Sequence, residues 1–256
     1  MVQKIDTIIF NLGGTLIDEE VSYRKVIELT VNNFMRQTAV TQVDIQILKS
    51  IPGFSNDWDT SFVLINLLRK RIPKSDWKVE AAKSLPIDRK SYLFKRIYDY
   101  FQTCYLGSEL YKKLEKGRPP FPYDPGMISY TKTLVDPALI KKLKKHYKLM
   151  IVSECPKAEI KIVLNNLGLL GSDYFEMKDV IAQKDVTKAK PDPEGLFAAC
   201  KRAKAKSAIY IGDDMSDVEA ARQAFMPCLY VGDQTSDMNT EEEYGAKINK
   251  LLQSFI

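Results

Sequence analysis

Short apolar runs alternate with amphipathic segments over much of the chain after residue 126. The runs at 149–152 and 209–211, like an earlier run at 8–10, are rich in β-branched and aliphatic residues, and each ends at a small or polar residue. This pattern is typical of buried strands in a parallel sheet. Strands that alternate with helices predict an α/β protein with right-handed crossovers. The helices predicted between and after these strands span 157–167, 194–203, 217–224 and 243–252.

Residues 19–126 carry a different pattern, in which apolar residues recur almost wholly at helical spacing. Val26–Phe34 and Tyr92–Cys104 each place apolar residues on one face of a predicted helix. Gly117 and the proline-rich stretch up to Gly126 then end the helical spacing. We therefore predict an all-helical insertion in an α/β core. The predicted domains are the core, residues 1–18 and 127–256, and the insertion, residues 19–126.

Capping signals mark where several of these helices begin. Thr41 and Asp44 form a Thr-x-x-Asp pattern that resembles a capping box. Ser75 is expected to cap a short helix, and Asp136 followed by proline is a good helix start. The lysine-rich run at 141–145 is predicted to be a solvated helix face, because no aromatic residues are interleaved with it as in a nucleic-acid patch.

Composition limits the size, partners and compartment of the protein. With 256 residues, 45% of them hydrophobic, and a formal net charge of +5, the chain can bury a sizeable core and needs no acidic partner. Its four cysteines form no Cys-x-x-Cys pair, which argues against zinc and disulfides and favours a reducing cytoplasm. We expect no secretory leader in the first residues, no membrane span, and neither a nucleic-acid nor a membrane partner.

Polar residues follow the predicted strands where a parallel sheet binds its ligands. Asn11 follows the first strand, Ser153 ends another, and Asp213 follows a third, while Lys190 precedes a Pro-Asp-Pro turn. Because ligands of such sheets sit at the carboxyl ends of strands, we expect these residues to converge. A phosphoryl group needs cationic, hydroxyl or N–H donors and usually a metal. The predicted phosphate donors are Ser153, Lys190 and the N–H groups of Leu12 and Gly14, and the predicted Mg²⁺ ligands are Asp213 and Asp217.

Four segments resemble, in order, the four motifs of the haloacid dehalogenase superfamily. They are Ile8–Asp18, Leu149–Ser153, Lys190–Pro193 and Ile209–Asp217. The resemblance implies a Rossmann-like core with a parallel sheet, a helical cap of the C1 type found in subfamily IA, and Mg²⁺-dependent phosphatase chemistry. In the family's first motif, two aspartates act as nucleophile and as general acid and base. Asn11 and Gly13 stand at these catalytic positions here, which the resemblance also makes metal-binding positions.

The two missing aspartates decide the functional prediction. An amide is a poor nucleophile and glycine has no proton to give, so hydrolysis is predicted to be impaired. Asn11 can offer a carbonyl oxygen to Mg²⁺ but no charge, so the metal is expected to bind more weakly than in an intact site. The chain is thus predicted to be of phosphatase lineage, retaining at most the binding of Mg²⁺, of phosphate or of a small phosphorylated molecule.

Two alternatives leave open whether the chain is an enzyme. The first alternative is a working Mg²⁺-dependent small-molecule phosphatase, in which Asn11 is an engineered substitution or another carboxylate such as Asp18 takes part. The second is a non-catalytic regulatory or protein-binding module. Several residues also have a structural explanation. Asp213 and Asp217 can cap the following helix while binding a metal, and Ser153 can simply end a strand. Cys155 is expected to be a small half-buried thiol.

Overall fold

The computed structural model describes residues 4–18, 20–54, 56–232 and 241–256. Residues 1–3 and residue 19 lie outside these ranges. The expectation of no secretory leader concerns the first of these segments, and residue 19 is the predicted start of the insertion. The strands are β1 (Thr7–Phe10), β2 (Ile17–Asp18), β3 (Lys132–Thr133), β4 (Lys148–Val152), β5 (Val180–Ile181), β6 (Ala208–Gly212) and β7 (Cys228–Tyr230). The α-helices are α1 (Lys25–Met35), α2 (Gln42–Lys49), α3 (Asp57–Arg69), α4 (Trp77–Lys83), α5 (Tyr92–Glu115), α6 (Pro137–Lys144), α7 (Lys157–Asn166), α8 (Glu194–Ala203), α9 (Met215–Gln223) and α10 (Glu241–Gln253).

The central sheet has five parallel strands in the order β5-β4-β1-β6-β7. Phe10, the last residue of β1, lies level with Ile151 of β4 and with Ile211 of β6. The residues that follow these three strands therefore meet at one edge of the sheet. The predicted α/β fold with a parallel sheet is confirmed.

Apolar side chains cover both faces of the first strand. Ile9 packs in a buried cluster with Tyr210 of β6 and Leu196 of α8. The next residue, Phe10, points to the opposite face, as strand geometry requires, and contacts Phe175 edge to face at 6.0 Å between ring centroids. Each such fully buried side chain stabilises the fold by about 1.5–3 kcal/mol. The end of β1 is thus held in place by packing on both sides.

A short antiparallel pair, β2 with β3, lies beside the turn that follows β1 and is not predicted by the sequence. Ile17 lies opposite Thr133, and each strand has two residues, too few to show an alternating pattern. The turn before β2 is folded by its own backbone. Leu16 N–H donates to Leu12 O at 2.8 Å, and Gly14 N–H donates to Ile17 O at 2.9 Å.

The described residues of 20–131 form one compact unit, and those of 1–18 and 132–256 form another. In the first unit, α1 packs against α3 and α5, and Tyr23 stacks on Tyr105 at 4.2 Å between ring centroids. Trp58 and Trp77 are buried there. The 3₁₀ turn Met127–Tyr130 packs on α5, so these residues lie with the helices, whereas the sequence-based division places them in the core.

Two of the three predicted helix starts are confirmed. Asp44 Oδ2 accepts from Thr41 N–H at 3.0 Å, and α2 begins at the next residue. Asp136 accepts from the Ala138 N–H at 2.8 Å and caps α6. The prediction that Ser75 caps a helix is wrong. Ser75 lies inside the 3₁₀ turn Lys74–Asp76, and its hydroxyl donates to the adjacent Asp76 carboxylate instead of accepting from a backbone N–H.

The predicted solvated face of α6 agrees with the structure. Lys141 pairs with Asp173 at the surface, and Lys144 forms a half-buried pair with Asp179. All four cysteines are free thiols. Within the described ranges, no helix is both long enough and apolar enough to cross a membrane.

Candidate functional site

The side chain of Asn11 lies at the centre of the strand-end site. Its backbone N–H donates to Ile211 O at 2.8 Å, which fixes this residue beside β6. Asn11 Nδ2 donates to Gly13 O at 2.9 Å and to Asp213 Oδ1 at 2.8 Å. Asn11 Oδ1 accepts from Lys190 Nζ at 3.2 Å. Both polar atoms of this side chain, which belongs to a residue 9% exposed, therefore have partners inside the site.

Lys190 belongs to a buried ion pair behind Asn11. Lys190 Nζ lies 2.5 Å from Asp217 Oδ1, and the two side chains are 6% and 0% exposed. Tyr210 Oη donates to the same Asp217 oxygen at 2.6 Å. Burial opposes the charge on Lys190, but the Asp217 carboxylate outweighs it and raises the pKa of Lys190 well above its ordinary value. Lys190 is thus a permanent cation, and Asp217 is its counter-ion.

Burial and the neighbouring Asp217 also raise the pKa of Tyr210 well above its ordinary value. The Tyr210 hydroxyl therefore stays neutral and acts as a hydrogen-bond donor.

The turn between β6 and α9 is organised around Asp217. Asp217 Oδ2 accepts from the N–H groups of Asp213 at 3.0 Å and Asp214 at 3.3 Å. Asp214 in turn accepts from Asp217 N–H at 2.8 Å and caps α9. Burial and the nearby Asp217 raise the pKa of Asp214 to about 8. This acidic motif therefore builds the start of a helix, while Asp213 alone points its carboxylate towards Asn11.

The turn after β1 provides backbone donors and a close approach to Asp213. Gly14 has φ +64°, and a Cβ there would overlap the Asp213 carboxylate, so only glycine fits. The Gly14 N–H, predicted to bind phosphate, donates to Ile17 O at 2.9 Å instead. In the described part of the chain, the N–H groups of Leu12 and Gly13 pair with no acceptor. Leu12 therefore keeps its predicted donor, and Gly13 adds a second.

Ser153 lies directly after β4, on the side of β1 away from Asp213. Its N–H donates to Ile181 O at 3.0 Å, and its Oγ accepts from the Cys155 N–H at 3.2 Å. The hydroxyl keeps its own proton as a donor. The neighbouring Glu154 accepts from the Lys190 backbone N–H at 2.9 Å. This contact ties the Lys190 segment to the end of β4.

Sequence reasoning missed three members of this site. Tyr210 lies within an apolar strand. The only sign of its role in the sequence is a hydroxyl group in a buried segment, which requires a hydrogen-bond partner. Glu154 directly follows Ser153, and no sequence pattern indicates its contact with the Lys190 backbone. Thr15 lies in the turn after β1 and donates to Asp213 Oδ1 at 3.2 Å, a partner almost two hundred positions away that no local pattern indicates.

The predicted Mg²⁺ ligands come together, but their oxygens already accept internal hydrogen bonds. Gly13 O and Asp213 Oδ1 both accept from Asn11 Nδ2, and both oxygens of Asp217 accept from buried donors. Among the described residues, no group of three or more His, Cys, Asp or Glu side chains is arranged to hold a metal. Mg²⁺ requires near-octahedral oxygen ligands at about 2.0–2.1 Å. These donor-filled positions do not fit that requirement.

The sheet order, with Ser153 and Asp213 after strands β4 and β6 and the Lys190 side chain beside Asn11, defines a Rossmann-like α/β protein. Residues 135–231 match the model of the haloacid dehalogenase-like hydrolase family. This segment contains Ser153, Lys190 and Asp213 but not Asn11. This part of the chain is therefore similar to the haloacid dehalogenase-like hydrolases.

Its relatives include several phosphatases. The chain is 27% identical over 226 residues to the pyrophosphatase PpaX of Listeria innocua, an alignment that covers 88% of this chain and 82% of that protein. It is 35% identical to a phosphoglycolate phosphatase of Cupriavidus necator over 98 residues, which is 37% of this chain and 41% of that one. The solved structure of phosphatase Tt82 from Thermococcus thioreducens superposes with a TM-score of 0.63 at 21% identity, covering 96% and 97% of the two chains.

Proposed function

We propose that this chain binds small phosphorylated molecules through a phosphatase-type site that does not hydrolyse them. The observation that carries the proposal is Asn11 at the end of β1, where its Nδ2 is held by Gly13 O and Asp213 Oδ1. A carboxamide has no lone pair suited to attack phosphorus, and its oxygen is engaged by Lys190. Gly13 provides no side chain to protonate a leaving group.

Phosphate recognition is supported by the donors around this position. The Ser153 hydroxyl and the N–H groups of Leu12 and Gly13 lie at the ends of neighbouring strands, with the Lys190 charge behind Asn11. Hydroxyl and N–H donors in a protected site suit phosphoryl oxygens. The relatives named for pyrophosphate and phosphoglycolate favour small phosphorylated compounds as ligands, and the free cysteines favour a cytoplasmic location.

The test measures release of inorganic phosphate from pyrophosphate and from phosphoglycolate, with and without Mg²⁺. We expect no hydrolysis by the unmodified chain. A missing general acid alone costs a factor of about 10²–10⁴, and the nucleophile is missing as well. The double variant Asn11→Asp/Gly13→Asp is expected to gain Mg²⁺-dependent hydrolysis, whereas Asn11→Asp alone should gain less because its leaving group departs unprotonated.

Calorimetric titration with pyrophosphate tests the binding half of the proposal, with Ser153→Ala as the matched variant. Weak binding that falls further in Ser153→Ala is expected. Hydrolysis by the unmodified chain that disappears in Asp213→Ala would contradict the proposal and favour an active enzyme, with Asp18 the first carboxylate to test. If the chain binds no pyrophosphate, the binding half of the proposal is wrong, and the chain is a relative of the phosphatases that does not bind their ligands.

A further inference from the structure

We infer that the carboxamide of Asn11 replaces a divalent cation at this site, so that the site is closed without metal. This inference does not rest on the proposed lack of hydrolysis, because it concerns folding and ion binding only. It begins from two oxygens on different segments, Gly13 O after β1 and Asp213 Oδ1 after β6. Both are held by the two N–H groups of one nitrogen, Asn11 Nδ2.

The orientation of the amide is fixed by its neighbours. Lys190 Nζ can only donate, so it must face the Asn11 oxygen, and the contact is 3.2 Å. Gly13 O and the Asp213 carboxylate can only accept, so they must face the nitrogen. A flipped amide would place two donors together on one side and three acceptors together on the other. The Asn11 oxygen therefore faces the Lys190 ammonium group, and the Asn11 nitrogen faces the Asp213 carboxylate.

The carboxylates of Asp213 and Asp217 have hydrogen-bond donors from within the chain. Lys190 neutralises Asp217 at 2.5 Å, and Tyr210 and two backbone N–H groups complete the partners of that carboxylate. Asp213 Oδ1 receives hydrogen bonds from the Asn11 amide and from the Thr15 hydroxyl. A cation would have to displace the Asn11 nitrogen to reach Gly13 O and Asp213 Oδ1 together.

Replacing Asn11 by aspartate changes the side-chain nitrogen, which donates hydrogen bonds, into an oxygen that can only accept them. A carboxylate at position 11 would face the Asp213 carboxylate, where the amide nitrogen now stands at 2.8 Å. Two carboxylates that share such a site repel each other unless a proton or a cation lies between them. The Asn11→Asp variant should therefore acquire a requirement for a divalent cation that the unmodified chain does not have.

The experiment compares thermal unfolding in excess EDTA with unfolding in millimolar MgCl₂. The Tm of the unmodified chain is expected to be the same in both solutions. Asn11→Asp should have a Tm several degrees lower in EDTA and should regain most of the loss in Mg²⁺, with one ion bound per chain by calorimetry. The matched control is Asn33→Asp, which adds the same charge at an exposed position of α1 and should show no Mg²⁺ response.

If Asn11→Asp does not fold, Asn11→Leu provides the second variant. It removes both N–H donors without adding charge, and it should lower the Tm equally with and without Mg²⁺. The inference is overturned if Mg²⁺ raises the Tm of the unmodified chain and the effect is lost in Asp213→Ala, since that result identifies the weak Mg²⁺ site predicted from the sequence. It is also overturned if Asn11→Asp matches the unmodified chain in EDTA. Metal-free hydrolysis by the unmodified chain would contradict the proposed function but not this inference.

Discussion

Lys190 is the residue whose removal should cost the sheet-containing unit most. Its ammonium group is the counter-ion of Asp217, which is 0% exposed. Lys190→Met keeps the apolar length of the side chain but leaves a buried carboxylate without its cation. We expect the free energy of unfolding to fall by about 3–5 kcal/mol, measured by urea denaturation followed by circular dichroism.

The control for Lys190 is Lys188→Met two residues earlier. Lys188 pairs with Asp192 at 3.2 Å, but its side chain is 70% exposed, so its loss should cost about 0–1 kcal/mol. Equal effects for the two lysines would mean that Asp217 takes up a proton when Lys190 is absent, and the ion pair would then contribute little.

The sequence was sufficient to place Asn11, Lys190 and Asp213 together, because each follows a strand or belongs to a motif of known order. It was not sufficient to assign the partners of Asp217. A carboxylate four residues after Asp213 fits both a metal ligand and the start of a helix. The distinction depends on which way its oxygens point, and that is set by Tyr210 and Lys190, which are distant from each other in the chain.

Among the elements, α2 offers a test of a buried capping carboxylate. Asp44 accepts from Thr41 N–H at 3.0 Å and pairs with Lys74 at 2.6 Å. Burial opposes the charge on Asp44, but the Lys74 and Thr41 donors outweigh it, so the pKa of Asp44 lies below its ordinary value of 3.8. A lowered pKa in the folded state stabilises the fold above the unfolded pKa, and this contribution is lost as the pH falls through the folded pKa.

Asp44→Asn is therefore expected to lower the free energy of unfolding by about 1 kcal/mol at pH 7. The difference from the unmodified chain should shrink as the pH falls below 3.8. Urea unfolding followed by tryptophan fluorescence measures it, because both Trp58 and Trp77 lie in the same helical unit as Asp44. The exposed pair of Glu80 and Lys83 gives the control, Glu80→Gln, which should change little. If the difference in the free energy of unfolding stays constant at all pH values, the shape of the Asp44 side chain rather than its charge stabilises the fold.

The elements that the sequence predicted well are those with a repeating pattern or a local cap. Helix α8 begins and ends where its apolar spacing does, and α2 starts after its Thr-x-x-Asp signal. The apolar spacing that predicts α5 covers Tyr92 to Cys104, and the helix continues to Glu115 through a kink at Gly107, where φ is 77°. A Cβ at Gly107 would meet the backbone of Gly126. That close approach involves residues far apart in the chain, and helical spacing contains no information about it.

At the scale of the whole molecule, the chain folds as two compact units, and each has a cysteine that reports on its opening. Cys104 lies in the helical unit and Cys200 in the sheet-containing unit. Burial raises the pKa of Cys104 to about 12, and burial also raises the pKa of Cys200. Since the thiolate is the reactive form, both should be alkylated slowly in the folded protein.

Alkylation by iodoacetamide at pH 8 should therefore modify Cys104 and Cys200 more slowly in the folded chain than in urea, as followed by peptide mass spectrometry. Cys228, with its pKa raised to about 11 by burial, should behave in the same way. Cys200 and Cys228 are half-buried and become more accessible when their unit opens, so Lys190→Met, in the same unit, should accelerate their alkylation more than that of the buried Cys104. Asp44→Asn should accelerate Cys104 instead. Equal acceleration of all three thiols by either variant would show that the two units open together as one cooperative structure.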